Sequence, residues 1–139
     1  MNAVLLDTNV LVYAHAVDLS DPRVLKAKEI CTAAADGSGA VSFQNLAEFC
    51  SVCLNKTRPP VPMEAVRRAV REMSASYRVF LPTPDTIPLA LSAVERHRLS
   101  YWDALIWAVA KAEGIGEILS EDFQHGRSVD GVIYRNPFK

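Results

Sequence analysis

Four acidic residues of this 139-residue chain stand where carboxylates could carry out chemistry. Asp7 closes a short apolar run, and Asp122 lies just past another one. Glu48 lies in the first turns of a helix that follows a third apolar run, and Asp103 lies in the first turn of a largely apolar helix. Acids are seldom buried unless they are paired or bound to a metal ion, so these contexts make all four candidates for a functional site.

Each of these acids also has an ordinary structural explanation. Asp7 could open an Asx turn, Glu48 could be a solvated helix residue, and Asp122 could be a loop acid. Asp103 stands three residues after Ser100, the spacing of a capping box at a helix start. Taken singly, the acids favour these explanations, whereas the apolar surroundings of Asp7 and Asp103 favour a site.

The elements that must position these acids alternate between strands and helices. Apolar runs predict strands at 3–7, 40–43, 78–81, 118–119 and 132–134, and apolar spacings of three and four predict helices at 10–17, 22–36, 44–54, 63–75, 85–97 and 100–113. Such alternation predicts an α/β fold with a mainly parallel sheet of roughly five strands. The chain shows no internal repeat and no long linker, so we expect one domain over residues 1–139.

The predicted sheet brings most of the acids to one edge. Ligands bind beyond the carboxyl ends of parallel strands, and Asp7, Glu48 and Asp122 all fall near such an end. Asp103 does not follow this rule, because simple alternation starts its helix at the opposite edge. Spacing alone leaves the position of Asp103 open.

Composition limits the class of protein. Half of the residues are hydrophobic and 22% are charged, which excludes a disordered chain. A net charge of −1 argues against a protein that coats nucleic acid through bulk charge. No apolar run reaches the ~18 residues of a membrane span. The N-terminus lacks the positive region of a signal peptide, and the cysteine count is odd, so we expect a cytoplasmic protein.

Cys50 and Cys53 form a C-x-x-C pair within a predicted helix. A zinc site would need two more ligands at suitable spacing, and a redox pair would stand at a helix start, where the helix dipole lowers a thiol pKa. Neither condition is met here. We therefore expect these thiols to pack in the core.

Four segments resemble, in order, the motifs of the PIN-domain family, most of all its VapC-type toxin ribonucleases. The segments are Asp7–Leu11 (DTNVL), Leu46–Phe49 (LAEF), Tyr101–Ile106 (YWDALI) and Ser120–Gly126 (SEDFQHG), and the closing Asn136–Phe138 (NPF) is similar too. The resemblance covers essentially the whole chain. It implies a three-layer α/β/α sandwich, a metal-dependent ribonuclease site, and a cluster formed by Asp7, Glu48, Asp103 and Asp122.

Crowded carboxylates stay ionised together only when cations neutralise them. Oxygen ligands favour Mg²⁺ or Mn²⁺, and zinc is disfavoured because no Cys or His accompanies the acids at ligand spacing. We expect Asp7 and Asp103 to be the closest ligands. Glu48 and Asp122 would then bind a second ion or orient metal-bound water.

Other polar residues could support catalysis or bind RNA. The candidates for hydrogen bonds to a carboxylate, a water or a phosphate are Thr8, Asn9 and Ser120, which could equally form turns. Between Lys56 and Arg78 basic residues outnumber acidic ones, and a basic face formed by Arg67, Arg68 and Arg71 could hold RNA phosphates or simply be solvated. His125 could lie near the substrate or on the surface.

The expected activity is hydrolysis of RNA phosphodiester bonds by metal-activated water. The resembled family usually pairs with a small antitoxin and commonly forms homodimers, so both partners are expected beside the RNA substrate. One alternative is a phosphohydrolase with an aspartyl nucleophile, which needs a second acid where this chain has Asn9. The other is a PIN-like module that only binds RNA or protein, and the full set of four acids argues against it.

Overall fold

A computed structural model describes residues 3–139 of the chain. The strands are β1 (Val4–Leu6), β2 (Gly39–Ser42), β3 (Arg78–Phe80), β4 (Glu117–Leu119), β5 (Ser128–Val129) and β6 (Val132–Arg135). The helices are α1 (Thr8–Ala14), α2 (Pro22–Ala34), α3 (Phe43–Asn55), α4 (Met63–Ser76), α5 (Thr86–His97) and α6 (Tyr101–Ala112). Within residues 3–139 no helix is both long and apolar enough to cross a bilayer.

The strands form one sheet in the order β3-β2-β1-β4-β6-β5. All neighbouring pairs are parallel except β5 and β6. Strand β1 is central, and its Leu5 pairs with Ala40 on one side and Ile118 on the other. The predicted α/β fold is confirmed, with one correction to the roughly five strands expected. The sixth strand, β5, is only two residues long, too short to form an apolar run that could be recognised.

Apolar side chains cover both faces of the sheet, as a parallel sheet requires. On one face Leu5, Ile118 and Trp107 belong to a core covered by α5 and α6, and on the other Leu6 and Phe49 belong to a core covered by α1 to α4. Successive strand residues point to opposite faces, which sends Leu5 and Leu6 to different cores. The result is the three-layer α/β/α arrangement.

Helix α6 begins at the carboxyl edge of the sheet. A link of four residues, 113–116, joins its end to the start of β4, so α6 must run antiparallel to the strand that follows it. Its first turn is tied to the start of α3, because the Gln44 side-chain amide donates to the Trp102 carbonyl at 3.1 Å. The alternation argument, which started this helix at the other edge, was therefore wrong, and Asp103 joins the edge where β1 and β2 end.

The two cysteines of the C-x-x-C pair pack against the core under α1 to α4, as predicted. Cys53 is buried and Cys50 is half-buried, and both thiols are free. Burial raises the pKa of both thiols, which keeps them protonated and unreactive near neutral pH.

Candidate active site

Asp7 stands at the centre of the site, where β1 ends and α1 begins. The residue is 7% exposed, and its carboxylate accepts hydrogen bonds from the Thr8 backbone N–H at 2.8 Å, the Asn45 side-chain amide at 3.1 Å and the Ser120 hydroxyl at 2.7 Å. Burial raises the pKa of Asp7 from 3.8 to about 6, although the hydrogen bonds from Ser120 and Thr8 act to lower it. The negative charges of Asp122 and Asp103 raise this pKa further.

The loop after β4 is joined to the start of α1 by a second set of bonds. The Asn9 side-chain amide donates to the Ser120 hydroxyl at 3.2 Å and to the Asp122 carboxylate at 3.1 Å. The Asp122 backbone N–H also donates to the Ser120 hydroxyl at 3.2 Å, and the side-chain oxygen of Asn9 accepts from the Glu121 N–H at 3.3 Å. These bonds hold Asp122, which is exposed to solvent, beside the buried Asp7.

Glu48 is connected to Asp7 through neighbouring side chains of α1 and α3. The Thr8 hydroxyl donates to the Glu48 carboxylate at 3.1 Å, and the Asn45 amide donates to that hydroxyl at 3.3 Å as well as to Asp7. Asn45 is fully buried, and its side-chain oxygen accepts from the Ser42 N–H at 3.0 Å, which caps α3. The sequence patterns did not predict Asn45 as a site residue, although the Ser42-x-x-Asn45 spacing of a cap was there to be found.

Asp103 reaches the site from α6. The Ser100 hydroxyl accepts from the Asp103 N–H at 3.2 Å, which is one half of the capping box considered above. The return bond, from the Ser100 N–H to the Asp103 carboxylate, is not formed in the described residues. Asp103 is half-buried, and its negative charge adds to the rise in the pKa of Asp7. Capping therefore explains Ser100 but leaves the carboxylate available.

The four carboxylates thus come to one edge of the sheet, with neutral side chains between them. As the side chains stand in residues 3–139, no group of three or more Asp, Glu, His or Cys side chains is close enough to chelate a metal ion. Hydroxyl and amide donors from Thr8, Asn9 and Ser120 occupy the positions around the carboxylate oxygens. The donor set itself is all oxygen, which fits Mg²⁺ or Mn²⁺ and does not fit zinc.

A small cavity of about 310 Å³ opens beside the carboxylates, between α1 and α3. One part of its wall is polar and the other is apolar: the lining residues are Thr8, Asn9 and Asp122, and Val12, Tyr13 and Val52. Its volume lies at the lower end of the range for ligand pockets, roughly 300–1,000 Å³. The cavity therefore offers a ligand both hydrogen-bond donors and an apolar surface next to the acids.

Other residues singled out in the sequence stay outside this network. Arg67, Arg68 and Arg71 are exposed on α4, and Arg67 is paired with Glu64 at 3.0 Å. No hydrogen bond or ion pair in the described part of the chain joins these arginines to the carboxylates. The His125 ring is exposed, and its Nδ1 accepts from the Asn136 N–H at 3.0 Å, which gives it a structural role.

The chain is similar to a known protein family and to several solved structures. The model of the PIN domain family matches residues 4–128 of the chain. None of the curated proteins matches it in sequence. Among solved structures, Mycobacterium tuberculosis VapC20, described as a toxin that cleaves the sarcin-ricin loop, is 25% identical with a TM-score of 0.68, over 86% of this chain and 92% of that one.

Two further solved structures share the fold over nearly the whole chain. A toxin–antitoxin complex from Klebsiella pneumoniae is 17% identical with a TM-score of 0.72, and the match covers 99% of both chains. VapBC2 from Rickettsia felis, bound to a DNA fragment from its promoter, is 18% identical with a TM-score of 0.68, over 96% of this chain and 98% of that one. At these identities the likeness is one of fold.

Proposed function

This chain belongs to the PIN-domain family, and from that membership we propose that it is a Mg²⁺- or Mn²⁺-dependent endoribonuclease, the toxin component of a VapBC-type toxin–antitoxin pair. The observation that carries the proposal is the state of Asp7. This carboxylate is buried with a pKa raised to about 6, and its hydrogen-bond donors, Thr8, Asn45 and Ser120, are all neutral. A buried acid without a positive partner, beside other acids, is suited to bind a cation.

We propose Asp7, Glu48, Asp103 and Asp122 as the ligands and catalytic acids. Asp7 and Asp103 would be the closest ligands, and Glu48 and Asp122 would hold a second ion or orient a water molecule. When bound, the ion would lower the pKa of a water molecule and stabilise the charge that develops on the phosphate oxygens. The all-oxygen donor set described above supports this choice of ion.

The neutral residues of the site would orient the acids. Ser120 holds one oxygen of Asp7, and Asn45 and the Thr8 N–H hold the other, so the plane of this carboxylate is defined before any ligand arrives. Asn9 does the same for one oxygen of Asp122. Such bonds to ligating carboxylates set the geometry of a site as much as the ligands do.

We further propose how the RNA and the protein partners bind. The exposed Arg67, Arg68 and Arg71 would contact phosphates, which gives affinity without sequence preference. The cavity beside Asp122 would accept part of a nucleotide next to the acids. The similarity to toxin–antitoxin complexes supports a cognate antitoxin as a partner, and we propose a homodimeric, cytoplasmic protein whose residues 1–139 form one PIN-like domain.

Incubation of the purified protein with total RNA tests the activity. We expect cleavage with Mg²⁺ or Mn²⁺, none with a chelator, and none for the Asp7→Asn variant under any of these conditions. Mapping the cut ends would identify the RNA. Equal cleavage by the wild type and Asp7→Asn would contradict the assignment, and RNA binding without cleavage would favour the alternative of a binding module.

A further inference from the structure

A buried hydroxyl lies near the carboxylates without a partner. Tyr134, on β6, is 1% exposed, and its hydroxyl makes no hydrogen bond to any residue in the range 3–139. The ring itself is well packed, stacked on Phe123 with 4.1 Å between the ring centroids. Buried polar groups are nearly always paired, because an unpaired one loses its bonds to water without compensation. This hydroxyl therefore requires a partner.

The position of Tyr134 indicates which groups are near. In the sheet it pairs with Ile118 of β4, the strand next to β1, and it belongs to the core that α6 covers. Burial is the largest cause of a raised pKa of Tyr134, and the charges of Asp103 and then Asp7 follow. The hydroxyl thus stays protonated near neutral pH and can donate a hydrogen bond close to two acids.

The Asp103 carboxylate is an acceptor that could take this hydrogen bond. Asp7 receives three hydrogen bonds, whereas the Asp103 carboxylate receives none from the part of the chain that the structure describes. A spare donor and a spare acceptor therefore lie in the same region, on β6 and at the start of α6. A phenolic donor is well suited to this place, since it adds no charge to the site.

We propose that Tyr134 is a positioning residue whose hydroxyl donates a hydrogen bond to the Asp103 carboxylate when a divalent cation binds. The proposal rests on the proposed metal site and names a residue that the four acids do not include. The bond would hold Asp103 in the orientation in which it binds the cation. Hydrogen bonds from neighbouring residues to metal-binding side chains commonly have this role.

Binding of Mn²⁺ alone tests the proposal. The variant Tyr134→Phe keeps the ring and its stacking on Phe123 and removes only the hydroxyl. We expect its Kd for Mn²⁺, measured by calorimetry on metal-free protein, to rise by about tenfold or more. The melting temperature of the metal-free variant should be unchanged or higher, because the variant no longer buries an unpaired hydroxyl.

Tyr77→Phe is the matched control. The Tyr77 hydroxyl donates to the Cys31 carbonyl at 2.9 Å, away from the carboxylates. Its removal should lower the melting temperature and leave the Kd for Mn²⁺ unchanged. A tyrosine difference spectrum on addition of Mn²⁺ should appear in the wild type and in Tyr77→Phe and be smaller in Tyr134→Phe, where only Tyr13 of the cavity lining can still contribute. Its absence from the wild type would overturn the proposal.

Asp103→Asn separates failure of the inference from failure of the proposed function. If the wild type binds Mn²⁺, Asp103→Asn binds it weakly, and Tyr134→Phe binds it like the wild type, only the role of Tyr134 is wrong. If the wild type does not bind Mn²⁺, or Asp103→Asn binds it equally well, the metal site fails and the inference fails with it.

Discussion

Replacing Asp7 by Asn should inactivate the protein and stabilise it at the same time. The pKa of Asp7 is raised from 3.8 to about 6, chiefly by burial, so the folded state disfavours the ionised carboxylate. A difference of roughly two pKa units between the folded and unfolded states corresponds to about 3 kcal/mol in the free energy of unfolding. Stability linked to this group is fully present below pH 3.8 and is lost as the pH rises through about 6. At pH 8 the free energy of unfolding of the metal-free wild type is therefore lowered by this full amount.

The amide removes this cost and keeps most of the contacts. In Asp7→Asn the Thr8 N–H and the Asn45 amide can still donate to the oxygen of the new amide side chain. The Ser120 hydroxyl loses its acceptor, and because it already accepts from the Asn9 amide and the Asp122 N–H, it has no lone pair for the new NH₂ group. The lost Ser120 bond should cost about 1 kcal/mol at every pH. We expect Asp7→Asn to be about 2 kcal/mol more stable than the wild type at pH 8 and slightly less stable near pH 4, where ionisation of Asp7 destabilises the wild type only a little.

Urea unfolding with a chelator at the two pH values measures this difference. Asp85→Asn is the control: Asp85 is exposed at the start of α5 and makes no side-chain capping bond, so its variant should follow the wild type at both pH values. The reasoning would be refuted if Asp7→Asn were less stable than the wild type at pH 8, or if the difference were the same at pH 4.

Three further outcomes are expected. Mn²⁺ should raise the melting temperature of the wild type at pH 8 and not that of Asp7→Asn, and equal shifts in a thermal melt would argue against a cation at Asp7. Asn45→Leu, which removes the bonds to Asp7, Thr8 and the Ser42 N–H, should cost about 1–3 kcal/mol in urea unfolding, and a neutral result would remove Asn45 from the network. The double variant Arg67→Ala with Arg71→Ala should bind RNA more weakly and with a shallower dependence on salt, whereas an unchanged slope would exclude the basic face.

The fold follows from local patterns over most of the chain. The apolar run before Asp7 and the apolar spacings around Trp107 reflect burial on both faces of the sheet and inside α6, which is a property of each segment by itself. Strand β5 could not be predicted, because a two-residue strand depends on its pairing with β6 and not on its own composition. The direction of α6 could not be read by counting elements either, since two helices lie between β3 and β4.

The sequence predicts the positions of those candidate site residues that follow the end of a strand. It does not predict the positions of residues that reach the acids only through tertiary contacts. Asp7 and Asp122 closely follow neighbouring parallel strands, so the edge rule brings them together. Asn45 and Tyr134 lie within elements whose patterns also fit ordinary capping and core roles. Their relation to the acids depends on tertiary contacts, such as the 3.1 Å bond from Asn45 to Asp7, which no local pattern contains.

The arrangement of neutral donors around Asp7 explains how the acids can lie together in a folded protein at all. Three uncharged donors offset part of the burial cost of this carboxylate, but they do not remove it, since its pKa remains raised. A positively charged donor in this network would neutralise the acid, and it would also occupy the position that a cation needs. If the proposed ion binds here, a site that stabilises Asp7 only partly would keep its affinity for that ion, and the stability lost by the metal-free protein would become part of the free energy of binding.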